Sequence, residues 1–281
     1  MDYRLNNNEP ILIMGMHRSG TGLVSQILKD NGVFIGSFNQ KDKESIFFLN
    51  INRWIMSQYS SSWKNPRNIN NDNKSIDISS EVRNILCSRY SALFFGYSYF
   101  LQKQNFLTIN NNWGFKDPRN IFTYPIWKNI YPNLKSIIIV RHPIDVVNSL
   151  LVRSENNHQY ELVNLLKYFL PFDYKVLKDD YKISSLEEAI DLYKIYYDAI
   201  IDIKSKNQDA LIIKYEDLLL DSQNTISIMF KYLNLPYNKK LIRNVLAMFD
   251  PSRAFAYRQM NDKYTSDTLN NLIVELGYND V

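Results

Sequence analysis

The sequence of 281 residues contains one cysteine, Cys87, so no disulfide within the chain can staple the fold. Its setting in "VRNILCSRY" reads as a helix face, which gives the thiol a packing role and fits a reducing compartment. Long apolar runs are also missing. The N-terminal "MDYRLNNNEP" lacks the apolar centre of a signal peptide, and "SALFFGYSYFL" is too short and too polar to span a bilayer. These absences predict a soluble, cytoplasmic chain with no membrane span. Charge of one sign is scarce as well. A net charge of +4 suits an anionic ligand but falls short of the clustered excess of a nucleic-acid binder, so the expected partner is a small anion. What is plentiful is hydrophobic residue, 45%, enough for the core of one large α/β domain. With no internal repeat or linker in view, residues 1–281 read as a single domain.

Three short runs are apolar throughout and rich in β-branched residues, the mark of buried parallel strands: "ILIMG" at 11–15, "KSIIIV" at 135–140 and "ALIIKY" at 210–215. Helical periodicity follows each of them. "GLVSQILKDNG" ends at Gly32, "PIDVVNSLLVRSE" has Pro143 in its first turn, and "EDLLLDSQNTISIMFKYLNLP" follows the third run. The pattern predicts an open α/β fold of three layers, αβα, around a parallel sheet. The clearest of the further helical segments is "SSLEEAIDLYKIYYDAIIDIKSKN", where Ser185 and Glu188 have capping-box spacing. Its Tyr193 and Tyr197 read as core. The polar stretch at 60–75, "SSSWKNPRNINNDNKS", has no periodicity and reads as a surface loop or lid.

The chain has eight glycines, and Gly15 and Gly20 have the G-x-x-x-x-G spacing of a Walker loop, whose backbone N–H groups ring a phosphate at a helix start. A Walker loop continues with Lys and then a Ser or Thr that holds magnesium, whereas this one continues with Thr21 and Gly22. Instead a cation, Arg18, stands inside the loop, followed by Ser19. Arginine stays charged when desolvated and offers a planar fork of donors, so the loop suits a dianion held without metal.

In this setting "GMHRSGTGLVSQIL" resembles the phosphosulfate loop of sulfotransferases, which transfer a sulfuryl group from 3′-phosphoadenosine 5′-phosphosulfate (PAPS) to an acceptor. The pattern is most similar to bacterial and tyrosylprotein-type members, with Arg before S-G-T. The resemblance implies the P-loop-like sulfotransferase fold, and a phosphosulfate held by Arg18, Ser19, Gly20, Thr21 and Gly22. "IIIVRHPIDVVNSLL" is similar to the family's 3′-phosphate motif, with Arg141 eight residues before Ser149. An ion pair of Arg141 with Asp145 is the alternative use of that arginine, and His142 reads as a turn residue. "KYEDL" resembles the segment whose tyrosine packs near adenine, which implies that role for Tyr215; Glu216 and Asp217 read as first-turn acids on a helix dipole. The likeness runs from about residue 11 to 235. It breaks at Gly22 and Leu23, where cytosolic members have a Trp, and at the missing C-terminal R-K-G, for which Arg253, with Arg258 behind it, could substitute.

Transfer to a hydroxyl or amine calls for a general base. Cytosolic members use a His in K-T-H-L-P, but the equivalent stretch here is "WGFKDPRN". Lys116 matches the family's lysine and is expected to support the leaving phosphate. Two carboxylates compete for the base. Glu44, ahead of an L-N pair as in bacterial relatives, is the first choice, unless it is a solvated acid among Lys41, Asp42 and Lys43. Asp117 is the second, unless it is locked to Arg119 or the backbone. His17 reads as a loop-shaping residue that could also act. A P-loop nucleotide or metabolite kinase and a non-catalytic nucleotide-binding relative are the alternatives. The acceptor, whether carbohydrate, peptide or small alcohol, and the oligomeric state are not legible.

Overall fold

The computed structural model describes residues 9–40, 42–67, 69, 72–155, 182–236, 246–247, 249–259 and 266–278. Lys41 and residues 68, 70 and 71 of the polar stretch lie outside them, as does the N-terminal octet. Four parallel strands form the sheet in the order β2-β1-β3-β4, with β1 at Ile11–Gly15, β2 at Gly114–Lys116, β3 at Lys135–Val140 and β4 at Leu211–Lys214. The register pairs Ile13 with Lys116 on one side and with Ile137 on the other, and Ile138 with Ile212.

Continuous apolar strands are explained by a core on each face. Leu12, Met14, Ile138 and Val140 enter one core, while Ile11, Ile13, Ile137, Ile139 and Ile213 enter the other. Alternate residues of a strand point to opposite faces, so both faces must be covered. The second core is closed by α1 (Thr21–Asp30) and α10 (Ser222–Leu233). The larger first core takes α2 (Ile46–Gln58), α3 (Asn73–Leu86), α4 (Ala92–Phe95), α6 (Asn120–Ile130), α7 (Pro143–Glu155) and α8 (Leu186–Lys206). Shorter pieces are α5 (Tyr97–Leu101), α9 (Tyr215–Leu220) and α11 (Asp267–Glu275). The expected αβα layering is present, and no described helix is long and apolar enough to cross a membrane.

Three local expectations are adjusted. The strand β2 is only three residues long, too short for a periodic signal, and Gly114 lets it approach β1: a Cβ there would meet the Ile11 carbonyl oxygen at 2.3 Å. The polar stretch at 60–75 is not all loop, since its last residues, from Asn73, are helical. Its Trp63 is buried, and Asp72 caps α3 with its carboxylate accepting from the Ser75 N–H at 2.9 Å, so the helix starts at Asn73. The helical run after β4 is broken at Asp221, which has φ −124° and ψ 50°, and becomes α9 and α10. Elsewhere Ser185 caps α8 as expected, accepting from the Glu188 N–H at 3.2 Å, and Tyr193 and Tyr197 are core. Cys87 is a free, half-buried thiol at the C-terminal cap of α3.

An aromatic cluster anchors the site's outer wall. Phe48 of α2 stacks on Phe115 of β2 with centroids 3.7 Å apart, and Phe94, Trp113 and Trp127 pack around Phe48. Each such side chain contributes about 1.5–3 kcal/mol by burial. Their stacking fixes the start of α2 against the end of β2, and so brings Glu44 beside Lys116.

Candidate active site

The carboxyl ends of β1, β2 and β3 open into a cavity of about 250 Å³. Ligands of open α/β sheets bind at such ends. The loop from β1 to α1 forms its floor. A Cβ on Gly15 would meet the Ile139 carbonyl oxygen at 2.4 Å, and one on Gly20 would meet the Tyr215 ring at 2.2 Å, so both glycines are required by close approach. Gly20, at φ 99°, is also left-handed. Arg18 adopts φ 71°, a conformation that costs a non-glycine residue about 1–3 kcal/mol and is found at functional sites. Its Nε donates to the Ser149 hydroxyl at 2.8 Å, which joins the loop to the second turn of α7. Partial burial lowers Arg18 from its ordinary value, and the neighbouring Arg153, Arg253 and Arg141 push the same way while Asp42 opposes. Among the described residues no side chain caps the N-terminus of α1, which leaves the Thr21 and Gly22 N–H groups for a ligand.

Gly20, Thr21 and Gly22 line the cavity with Arg18. Ser19 does not: its hydroxyl donates to the Met16 carbonyl at 2.7 Å and closes the loop on itself.

Arg141, Tyr215 and Arg253 form the next wall. The Arg141 guanidinium lies 4.6 Å from the Tyr215 ring centroid, a cation–π contact, and donates to Asp145 Oδ2 at 3.1 Å and to the Arg253 carbonyl at 3.0 Å. The ion pair with Asp145 that the sequence offered as an alternative therefore exists, on a residue that still faces the cavity. The Arg141 Nε is buried without a partner among the described residues. Asp145 also accepts from the Ala256 and Tyr257 N–H groups, at 3.2 and 2.7 Å, and so pins the segment that carries Arg253. Arg258 does not line the cavity and lies over the Phe255 ring instead. The turn residue His142 is buried, stacks on Tyr257 at 4.2 Å and is lowered to about 4 by burial and by Arg258 and Arg141. Glu216 does more than face a helix dipole. It is buried, accepting from the His142 N–H at 3.0 Å and from the Tyr278 hydroxyl at 2.7 Å.

On the opposite wall Glu44 and Lys116 form a buried ion pair, and the Lys116 ammonium also donates to the Asp42 carbonyl. Glu44 is thus not a solvated acid. Burial raises its carboxyl above the usual value; Lys116 opposes the rise and Asp117 adds to it. Asp117 is turned away from the cavity. Its Oδ1 accepts from the Arg119 N–H at 2.9 Å and guanidinium at 3.0 Å, and its Oδ2 from the Asn52 amide at 2.9 Å. The structure therefore brings Glu44 to the site with Lys116 and holds Asp117 in the arrangement that the sequence offered as its structural alternative.

Sequence reasoning missed Arg153 and Lys43 on the cavity wall. Arg153 is four residues after Ser149 on α7, a spacing that puts both on one face, and it pairs with Asp42 at 3.5 Å. That spacing was the available signal.

A parallel αβα sheet, a glycine loop that opens a helix, and a cavity lined by six cations and two carboxylates define an α/β protein with a phosphate-loop-like fold. The sequence model of the sulfotransferase family matches residues 10–239, and the chain belongs to that family. Among solved structures it is similar to the sulfotransferase domain from the curacin biosynthetic pathway, at 15% identity and a TM-score of 0.55, covering 95% of this chain and 97% of that one. It is also similar to the sulfotransferase domain from the Synechococcus PCC 7002 olefin synthase, with 15% identity, a TM-score of 0.56, and coverage of 99% and 98%. Sulfotransferase STF9 from Mycobacterium avium matches at 15% identity and a TM-score of 0.50, over 98% of this chain and 78% of that one. These likenesses describe the fold. No curated protein sequence matches the chain.

Proposed function

We propose that this chain, acting as one domain, transfers a sulfuryl group from PAPS to a hydroxyl or amine acceptor, without a metal in the transfer step. The observation that carries the reading is the convergence of Arg18, Lys116, Arg141 and Arg253, far apart in sequence, on one cavity beside an uncapped helix start. Four cations suit the roughly four negative charges of a phosphosulfate together with a 3′-phosphate.

In this reading Arg18 and the N–H groups of Gly20, Thr21 and Gly22 hold the phosphosulfate, the Ser19 N–H being taken by the Met16 carbonyl at 3.1 Å, and Arg18 draws Ser149 to the same edge. Arg141 binds the 3′-phosphate, its Nε having no partner among the described residues, with Arg253 alongside. Tyr215 flanks the adenine. When bound, PAPS supplies a sulfuryl group on a good leaving group, so alignment and charge stabilisation matter most. Lys116 stabilises charge on the leaving phosphate. Glu44 removes the acceptor's proton, and its raised value brings its basicity closer to neutral pH. Thr21 and Gly22, in the positions where a Walker loop has its Lys and its magnesium-holding Ser or Thr, favour this reading over a kinase.

Thermal stabilisation by adenosine 3′,5′-bisphosphate (PAP) is expected to survive EDTA and to exceed that by ATP with magnesium. Equal or greater stabilisation by ATP with magnesium would overturn the sulfotransfer reading. Labelled PAPS incubated with pooled carbohydrates, tyrosine peptides and small alcohols then finds the acceptor.

A further inference from the structure

His17 is one of three histidines in the chain and the only one in the phosphate loop. It is 5% exposed, yet it forms part of the cavity wall next to Arg18. The edge of its ring meets Trp63, with centroids 4.8 Å apart, and Tyr196, at 6.3 Å, so neighbours from two other elements hold it. Its Nε2 is sealed from solvent and has no hydrogen-bond partner among the described residues. A buried polar nitrogen is ordinarily paired, so an orphaned one in a residue that lines a site calls for an explanation, and a bound ligand atom supplies one.

The charges around His17 identify that atom. Arg119, Arg153, Lys116 and Arg18 all act on the imidazole, from the N-cap of α6, α7, β2 and its own loop. Together with burial they hold it well below the ordinary histidine value, hence neutral. A neutral imidazole keeps one N–H to donate. In a field of cations the partner that such a donor calls for is an anionic oxygen. We propose that the His17 imidazole donates a hydrogen bond to an oxygen of the transferring sulfuryl group, as a fixed neutral donor beside the cationic Arg18. This inference rests on the sulfotransfer reading. It makes His17 a group that orients the sulfuryl centre, while the proton of the acceptor goes to Glu44.

The experiment compares PAPS with PAP, which lacks the sulfuryl group, by calorimetry without acceptor. His17→Phe keeps a ring against Trp63 and removes the donor. It is expected to weaken PAPS about 10-fold or more, the value of one hydrogen bond to a charged oxygen, and PAP less than about 2-fold. His17→Gln, which retains a neutral N–H, is expected to recover most of the lost PAPS affinity. In wild-type protein labelled with ¹⁵N-histidine, the His17 imidazole signal is expected to stay neutral from pH 8 to pH 6 and to shift on adding PAPS but not PAP. Equal loss of both nucleotides in His17→Phe, no loss of either, or an unmoved signal with PAPS would overturn the assignment while leaving the sulfotransfer reading intact. If wild-type protein binds neither nucleotide, both fall.

Discussion

Lys116 and Asp117 are neighbours at the end of β2, and each belongs to a buried ion pair, yet the two pairs face different surroundings. Lys116 reaches outward to Glu44 on the cavity wall, whereas Asp117 reaches inward to Arg119 and Asn52. The inner carboxylate is tied into a network: Asn52 Oδ1 in turn accepts from Thr123 at 2.8 Å and from the Trp127 indole at 2.9 Å. Such a carboxylate holds α2, β2 and α6 together. The outer one, beside open space and raised by burial, retains the capacity to take a proton. Chemistry follows from unfilled hydrogen-bonding capacity next to a cavity, and structure from filled capacity next to a core.

The sharpest way to break this contrast is Glu44→Gln. Loss of a general base is expected to cost about 10²–10⁴ in kcat, with PAP affinity near that of wild type. The wild-type rate should fall as pH drops through the raised Glu44 value, above the ordinary 4.5, because the base must be ionised to act. The variant should lack that limb in a pH–rate profile. If Glu44→Gln keeps both rate and limb, the outer pair is structural too.

Asp117→Asn tests the other half. It leaves the buried Arg119 guanidinium without its carboxylate, which is expected to cost about 3–5 kcal/mol in denaturant unfolding. Turnover per folded molecule should change little. A large loss of kcat with unchanged stability would reverse the two assignments.

Arg141 sharpens the comparison because it has both characters: partly satisfied by Asp145 and the Arg253 carbonyl, partly unpartnered at Nε. Arg141→Ala should weaken PAP by about 2–5 kcal/mol in calorimetry. Adenosine 5′-monophosphate, which has no 3′-phosphate, should lose far less. An equal loss for both would mean that Arg141 only pins the segment at 250–259.

The smallest effect extends the contrast to a buried base. His142 is lowered to about 4, so its neutral form stabilises the fold fully above the ordinary value of 6.5, and that contribution is lost as pH falls toward 4. His142→Phe should flatten stability over this window by up to about 3 kcal/mol, read from unfolding curves at each pH. Parallel curves for the two proteins would show that His142 does not titrate on unfolding.

Much of the fold was legible. The runs at 11–15, 135–140 and 210–215 became β1, β3 and β4 within a residue or so, because burial on both faces leaves a continuous apolar signature. The loop was equally legible, since Gly15, Arg18, Gly20 and Thr21 are consecutive elements of one turn. β2 escaped because three residues carry no period, and its pairing rests on Gly114 fitting against Ile11. The start of α3 inside the polar stretch escaped because Asp72 and Ser75 cap it in a run of Asn and Ser that also reads as loop.

By itself the sequence determined the alternation of strands and helices, the phosphate loop and the order of the motifs, all of which depend on residues close together along the chain. Only the tertiary structure decided which carboxylate meets the cavity: Glu44 and Lys116 are 72 residues apart, and packing of Phe48 on Phe115 brings them together. It also decided that Asp117 turns to Arg119, that Ser19 closes on Met16, and that Arg153 and Arg253 join Arg18. Periodicity and turn chemistry are local and can be read from neighbours. The direction of a charged side chain at the end of a strand is set by what packs beside it, and those partners come from distant parts of the chain.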